Sequence, residues 1–183
     1  FRFMSGEEVS FSVINLYERL PHDFRIFKDV VIPQGSYEWW RGSIQYKTKG
    51  ARKIWSEGTL SAGSFYDGRS NDISAKLNWK IAVPFFLGGG VTLNKVRLPP
   101  GNFNAAIYQV NANLLFSPKV TIYNYLQYDN ASNNLGCQSR FQWILKPGRE
   151  VMVVWTAGFV RPDENLILNN TATRLKIKYN IRF

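Results

Sequence analysis

Cysteine is nearly absent: Cys137 stands alone, so no intrachain disulfide forms and a small cross-linked secreted scaffold is excluded. Histidine is equally scarce. His22 lies in Leu20-Pro21-His22-Asp23, a turn signal rather than a place where a base meets a nucleophile. With one Cys and one His, the usual ligands cannot close a structural zinc site, and no other metal pattern is present. Helix signals are also missing except around Val13–Leu20, which reads equally as a strand. No apolar run approaches the roughly 18 residues of a spanning helix; the longest, Ile81–Leu87, is broken by Pro84. Acidic residues number only 13. Glu7-Glu8, Asp67, Asp72, Asp129 and Asp163-Glu164 fall mostly in predicted turns, and no two are singled out as the acid and base of a glycosidase. Gly88-Gly89-Gly90 lacks the Lys-Ser or Lys-Thr of a phosphate loop and reads as a flexible turn or bulge. The sequence therefore offers no catalytic constellation, no cofactor motif and no metal site, and the expectation is a protein that is not an enzyme.

What the chain has in abundance is aromatic residues, with six Trp, nine Tyr and thirteen Phe, in a pattern of alternation. Short alternating runs bounded by Gly, Pro, Asn and Asp predict strands near 8–18, 24–32, 37–46, 53–66, 72–83, 89–98, 103–116, 119–130, 134–146, 150–160 and 171–183, with residues 1–4 as the tail of another. Successive side chains of a strand point to opposite faces. In Thr171–Phe183 one face holds Leu175, Ile177, Tyr179, Ile181 and Phe183, and the other holds Arg174, Lys176, Lys178 and Arg182. Leu77, Trp79, Ile81 and Val83 oppose Lys76, Asn78 and Lys80. Tyr108, Val110, Leu114 and Phe116 oppose Gln109, Asn111 and Asn113. Cys137, Phe141, Trp143 and Leu145 oppose Gln138, Arg140 and Gln142.

Alternation of this kind fits a soluble sandwich with a buried apolar face, and equally a membrane barrel with that face in lipid. Three features favour the barrel. The predicted strands are about 10 to 14 residues long, where soluble strands are usually about 5 to 6 and spanning strands need about 9 to 11. Tight turns at Ser117-Pro118 and Lys146-Pro147-Gly148 alternate with looser connections at Asp129–Asn134 and Arg161–Asn170. The last strand closes on Phe183, and Tyr179, Ile181 and Phe183 resemble the terminal signal read by the outer-membrane barrel assembly machinery. The expected fold is all-β: an antiparallel up-and-down transmembrane β-barrel, or the C-terminal part of a larger one, with 11 or 12 strands visible over a single domain, 1–183. Phe1 in place of an initiator Met, with no signal segment, is what a fragment or processed product truncated at its N-terminus would show.

The net charge of +10 needs a place. The cations alternate within apolar-faced strands instead of forming an exposed patch with stacking aromatics, which argues against nucleic acid as a partner. Lys76, Lys80, Arg140, Arg174, Lys176, Lys178 and Arg182 are the candidates for a lumen wall. Two readings stay open: an electropositive lumen that favours anionic solutes, or cations that pair with carboxylates and hold a wall or plug together. A separate alternative is a soluble or surface β-sandwich that binds carbohydrate through Trp39, Trp40, Trp55 and Tyr66.

A set of turn motifs carries a family resemblance. They are Gly63-Ser64-Phe65-Tyr66-Asp67-Gly68, Val96-Arg97-Leu98-Pro99-Pro100-Gly101-Asn102-Phe103, Leu126-Gln127-Tyr128-Asp129-Asn130, Asn134-Leu135-Gly136, Arg140-Phe141-Gln142-Trp143 and Lys146-Pro147-Gly148 before Val151–Val154. Over about residues 8–183 the chain resembles the C-terminal barrel region, of unassigned function, of Gram-negative, Bacteroidota-type outer-membrane proteins that carry an N-terminal carbohydrate-binding-like β-sandwich. The resemblance implies residence in the bacterial outer membrane as an anchor or passage, in surface glycan or solute handling. It also implies contact with membrane lipid and lipopolysaccharide, and a possible carbohydrate-binding module ahead of this region in a parent chain. That sandwich is absent from these residues. The family supplies no catalytic residues to carry over.

Overall fold

The computed structural model describes residues 1–161 and 165–180. The protein is all-β, with twelve strands in the order β1 (Glu8–Leu20), β2 (Phe24–Phe27), β3 (Val30–Ile32), β4 (Gly35–Lys47), β5 (Ile54–Phe65), β6 (Gly68–Ala82), β7 (Phe85–Leu98), β8 (Gly101–Ser117), β9 (Val120–Asp129), β10 (Asn134–Lys146), β11 (Arg149–Val160) and β12 (Ile167–Tyr179). Ten follow one another in a hydrogen-bonded order that begins at β1, passes to β4 and runs consecutively to β12; β2 and β3 pair separately. β1 with β4, β4 with β5, β9 with β10, β10 with β11 and β11 with β12 all pair antiparallel. The ten strands run from 10 to 17 residues, long for a soluble sheet and sufficient for a bilayer. No helix among the described residues is long and apolar enough to cross a membrane.

Several expectations change on the structure. Val13–Leu20 is strand, the second half of β1. Residues 24–32 are not one strand but a hairpin, folded back at Lys28, whose φ of 38° lies in the left-handed region. That removes one strand from the main sheet. Residues 1–4 add none: Arg2 makes a single bridge to Glu8. Gly88-Gly89-Gly90 is neither turn nor flexible link but the middle of β7. A Cβ on Gly88 would collide with the amide ends of Asn78 and Asn111, so the bare backbone gives those two side chains their space. Asp72, expected at the start of a strand, lies inside β6, which begins at Gly68. The turn asymmetry is also only partial, since residues 66–67 and 99–100 are as short as 118–119 and 147–148.

The tight turns have local causes. The Ser117 hydroxyl accepts from the N–H groups of Lys119 and Val120 at 3.2 and 3.1 Å. Asp129 accepts from the Ala131 N–H and the Ser132 hydroxyl, both at 2.8 Å, while Asn133 supplies a φ of 51°. Gly148 takes φ 81° after Pro147, and its carbonyl accepts from the Asn180 N–H at 2.8 Å.

The residues form two compact units, Phe1–Lys76 with Val91–Ile107, and Leu77–Gly90 with Tyr108–Phe183. The first holds the buried cluster: Leu20, Val30, Ile32, Tyr37, Trp39, Tyr66, Val96 and Leu98. The β2–β3 hairpin supplies Val30 and Ile32, and Phe27 stacks on Phe103 with ring centroids 4.5 Å apart. Trp39 meets Tyr66 at 4.7 Å and Phe65 at 5.8 Å. Alternation along β4 puts Tyr37 and Trp39 on the same face as Arg41, Ser43, Gln45 and Lys47. The hairpin is therefore folded onto one end of a face that is otherwise polar.

Candidate functional site

The candidate site is this polar face, and its counterpart is an apolar face turned to the surroundings. Residues directly opposite in an antiparallel pair share a face, so the registers can be read as rows. In the first unit, Val9 with Tyr46, Phe11 with Ile44 and Leu60, and Val13 with Gly42 and Ala62 form the apolar rows. Glu8 with Lys47 and Glu57, Ser10 with Gln45 and Thr59, and Ser12 with Ser43 and Ser61 form the polar ones. The apolar side is uncovered: Phe11 is 61% exposed, Leu60 54%.

The second unit repeats the arrangement across β9, β10, β11 and β12. Ile122, Phe141, Val153 and Leu175 form one apolar row, and Val120, Trp143, Val151 and Ile177 the next. The row beside them, Asn124, Ser139, Trp155 and Thr173, is broken by polar residues, and the first two satisfy each other: the Ser139 hydroxyl donates to Asn124 Oδ1 at 2.8 Å while Asn124 Nδ2 donates to the Ala112 carbonyl at 3.0 Å. Cys137, between Leu126 and Ala157, behaves as the small apolar residue expected of it.

On the other face, Tyr123, Arg140, Val154 and Arg174 make a row, followed by Thr121, Gln142, Met152 and Lys176, and then by Glu150 with Lys178. The structure thus brings four of the sequence candidates, Arg140, Arg174, Lys176 and Lys178, onto one face. Their surroundings differ. Arg140 stacks over the Tyr123 ring at 4.5 Å. Lys178 sits 4.0 Å from Glu150, which also accepts from Gln142 at 3.3 Å. Among the described residues no ion pair engages Arg174 or Lys176. Lys76 pairs with Glu57 at 3.2 Å in the first unit, and Lys80 is half-buried on β6. Tyr179 lies on the apolar face of β12, with Arg149 over its ring at 4.3 Å. Ile181, Arg182 and Phe183 lie outside the described residues.

Sequence reasoning missed the ion pair between Arg41 and Asp72. Arg41 is only 11% exposed, and Asp72 also accepts from the buried Ser70 hydroxyl at 2.7 Å. The signal was the shared parity of Arg41 with Tyr37 and Trp39. Replacing Asp72 by Ala removes a charged acceptor from two buried donors and lowers stability by about 1–3 kcal/mol; a urea midpoint unchanged from wild type would contradict this.

The four aromatics of the sugar-binding alternative do not make one surface. Trp39 and Tyr66 are buried in the cluster, while Trp40 is exposed on the opposite face of β4. Tyr66, in the turn after β5, donates from its hydroxyl to Glu18 Oε2 at 2.6 Å. Burial first, and then that bond, hold its phenol well above the usual value.

No protein-family model, curated protein or solved structure matches the chain. Its function has to be argued from the two faces themselves.

Proposed function

We propose that this chain is an outer-membrane β-barrel, or the C-terminal part of a larger one, that anchors or passes material across the bacterial outer membrane in surface glycan or solute handling. One observation carries the reading: the large apolar side chains lie in continuous rows on an uncovered face, and the polar and charged ones lie in rows behind it. In water the face of each unit would be an exposed apolar surface of a kind that soluble monomers rarely carry. In a bilayer it is the lipid contact, and the polar rows line an aqueous lumen. Strands of ten residues and more support the same reading. Membrane lipid and lipopolysaccharide are then the partners of the apolar face, and the barrel assembly machinery the partner that inserts it. Heat-modifiable migration on a gel and dependence on detergent test it. A monodisperse monomer without detergent would sink it.

The cationic rows give the passage a sign. With Arg174 and Lys176 engaged in no ion pair among the described residues, the lumen favours anions. In planar bilayers the chain should conduct with anion preference, and Arg174→Glu with Lys176→Glu should move the reversal potential toward cations. Cation preference in the unaltered chain, or no conductance at all, counts against it.

A further inference from the structure

The polar face of β9–β12 is not uniformly charged. Above the row that holds Arg140 and Arg174 comes Tyr125, Gln138, Thr156 and Ala172, and above that Gln127, Gly136, Gly158 and Asn170. Gly136 and Gly158 face each other directly, so two adjacent strands lack side chains at the same level. An open recess of about 500 Å³ results, within the range of small-ligand sites.

Its chemistry is specific. Apart from Asp129, the recess is lined by uncharged groups, and both Asp129 oxygens are already engaged by the Ala131 N–H and the Ser132 hydroxyl. Gln127 Oε1 accepts from Tyr125 Oη at 2.7 Å and from Gln109 Nε2 at 3.3 Å. Its carbonyl is thereby spent, and its amide N–H groups are left for another acceptor. The side-chain amides of Gln138 and Asn134 make no side-chain hydrogen bond among the described residues, and each offers a donor and an acceptor. The Tyr125 ring is 40% exposed beside them.

We propose that this recess binds a neutral, hydroxyl-rich solute, of the size and class of a short sugar. Hydroxyls both donate and accept, which matches carboxamides and not a fixed charge. The apolar face of a sugar ring lies well on an aromatic such as Tyr125. Gly136 leaves its part of the floor open to a flat ring where any side chain would fill the space, while the Asn170 amide lies over Gly158 and adds a polar edge. A charged solute is instead drawn to Arg140 and Arg174, about 13 Å further along the strand at four rises of about 3.3 Å. This assignment deepens the passage reading, and rests on it in that the polar face must be reachable from water.

The test uses the full chain refolded in detergent micelles, with its fold checked by heat-modifiable migration. Maltose and glucuronate are the probes, and calorimetric titration is the readout, which needs no conductance. Maltose should bind, and Gly136→Leu should weaken it at least tenfold. A Cβ at Gly136 has its nearest neighbour, the Gln127 carbonyl oxygen, at 3.9 Å, so the backbone admits the change. Gln138→Ala should weaken maltose several-fold as a milder variant, and Arg140→Ala should leave it unchanged. No maltose binding by the folded chain overturns the proposal. So does equal binding by Gly136→Leu, or a preference for glucuronate that Arg140→Ala abolishes. A chain that binds maltose through Gly136 but is monodisperse without detergent keeps the recess and loses the membrane reading.

Discussion

Leu60→Arg should destabilise the protein by about 2–4 kcal/mol in phospholipid vesicles, the cost of a cation near the bilayer midplane on a barrel's lipid face. The expectation is sharp because Leu60 is more than half exposed. On a soluble protein, an exposed residue away from special features changes stability by no more than about 0.5 kcal/mol. The two environments therefore differ several-fold in the outcome of one substitution. Leu60 sits opposite Ile44, with Phe11 one strand beyond Ile44, so an arginine there has only apolar neighbours on the β4 side of its row. Its sequence neighbour Thr59 points the other way, level with Gln45 and Ser10. Thr59→Arg should cost far less. Denaturant unfolding of both variants in vesicles decides it. Equal and small losses would falsify the lipid assignment of the Leu60 face.

The second large effect falls in the aromatic cluster. Trp39→Ala should cost about 3–5 kcal/mol, the usual penalty for emptying a large aromatic from a packed interior. Trp39 touches Tyr66 and Phe65, and the cluster it belongs to includes Val30 and Ile32 of the hairpin. Loss of the ring therefore loosens the hairpin as well as β4. Trypsin should cut at Arg25 and Lys28 in the variant much faster than in wild type. Trp39→Phe is the informative companion. Among the described residues no acceptor reaches the Trp39 indole N–H. Phenylalanine keeps much of the ring contact and removes that buried donor, so the change should cost no more than about 1 kcal/mol. If both substitutions prove equally damaging, packing of the ring is not what holds the hairpin down.

The strands were legible because a period of two survives in sequence wherever the two faces meet different surroundings. Leu175, Ile177 and Tyr179 against Arg174, Lys176 and Lys178 needed no tertiary information, and β12 takes up that alternation as far as Tyr179. Where one strand keeps apolar residues on both faces, the signal fails. Residues 24–32 looked like a strand because Phe24, Ile26, Phe27, Val30, Val31 and Ile32 are all apolar, and only the left-handed turn at Lys28 divides them. Trp39-Trp40 looked like one aromatic feature, but adjacent strand residues point apart, and one is buried while the other is exposed. The recess was invisible for a different reason. Gly136 and Gly158 lie 22 positions apart and meet only through the β10–β11 register. Gly88 misled for a related cause: its purpose is room for Asn78 and Asn111 on neighbouring strands, which no local window contains.

The placement of apolar residues on every second position also bears on how such a chain reaches its destination. The mean hydropathy is only −0.23, although most of the side chains in the uncovered rows are apolar. A continuous apolar segment of about 20 residues is what arrests a chain in a membrane as a helix. Alternation never presents one. A protein bound for the outer membrane can thus be threaded through an inner-membrane export channel without being retained, and its greasy side exists as a surface only once neighbouring strands pair. The apolar surface is a property of the folded sheet and not of any stretch of chain, so on the proposed membrane reading commitment to the bilayer is deferred until folding.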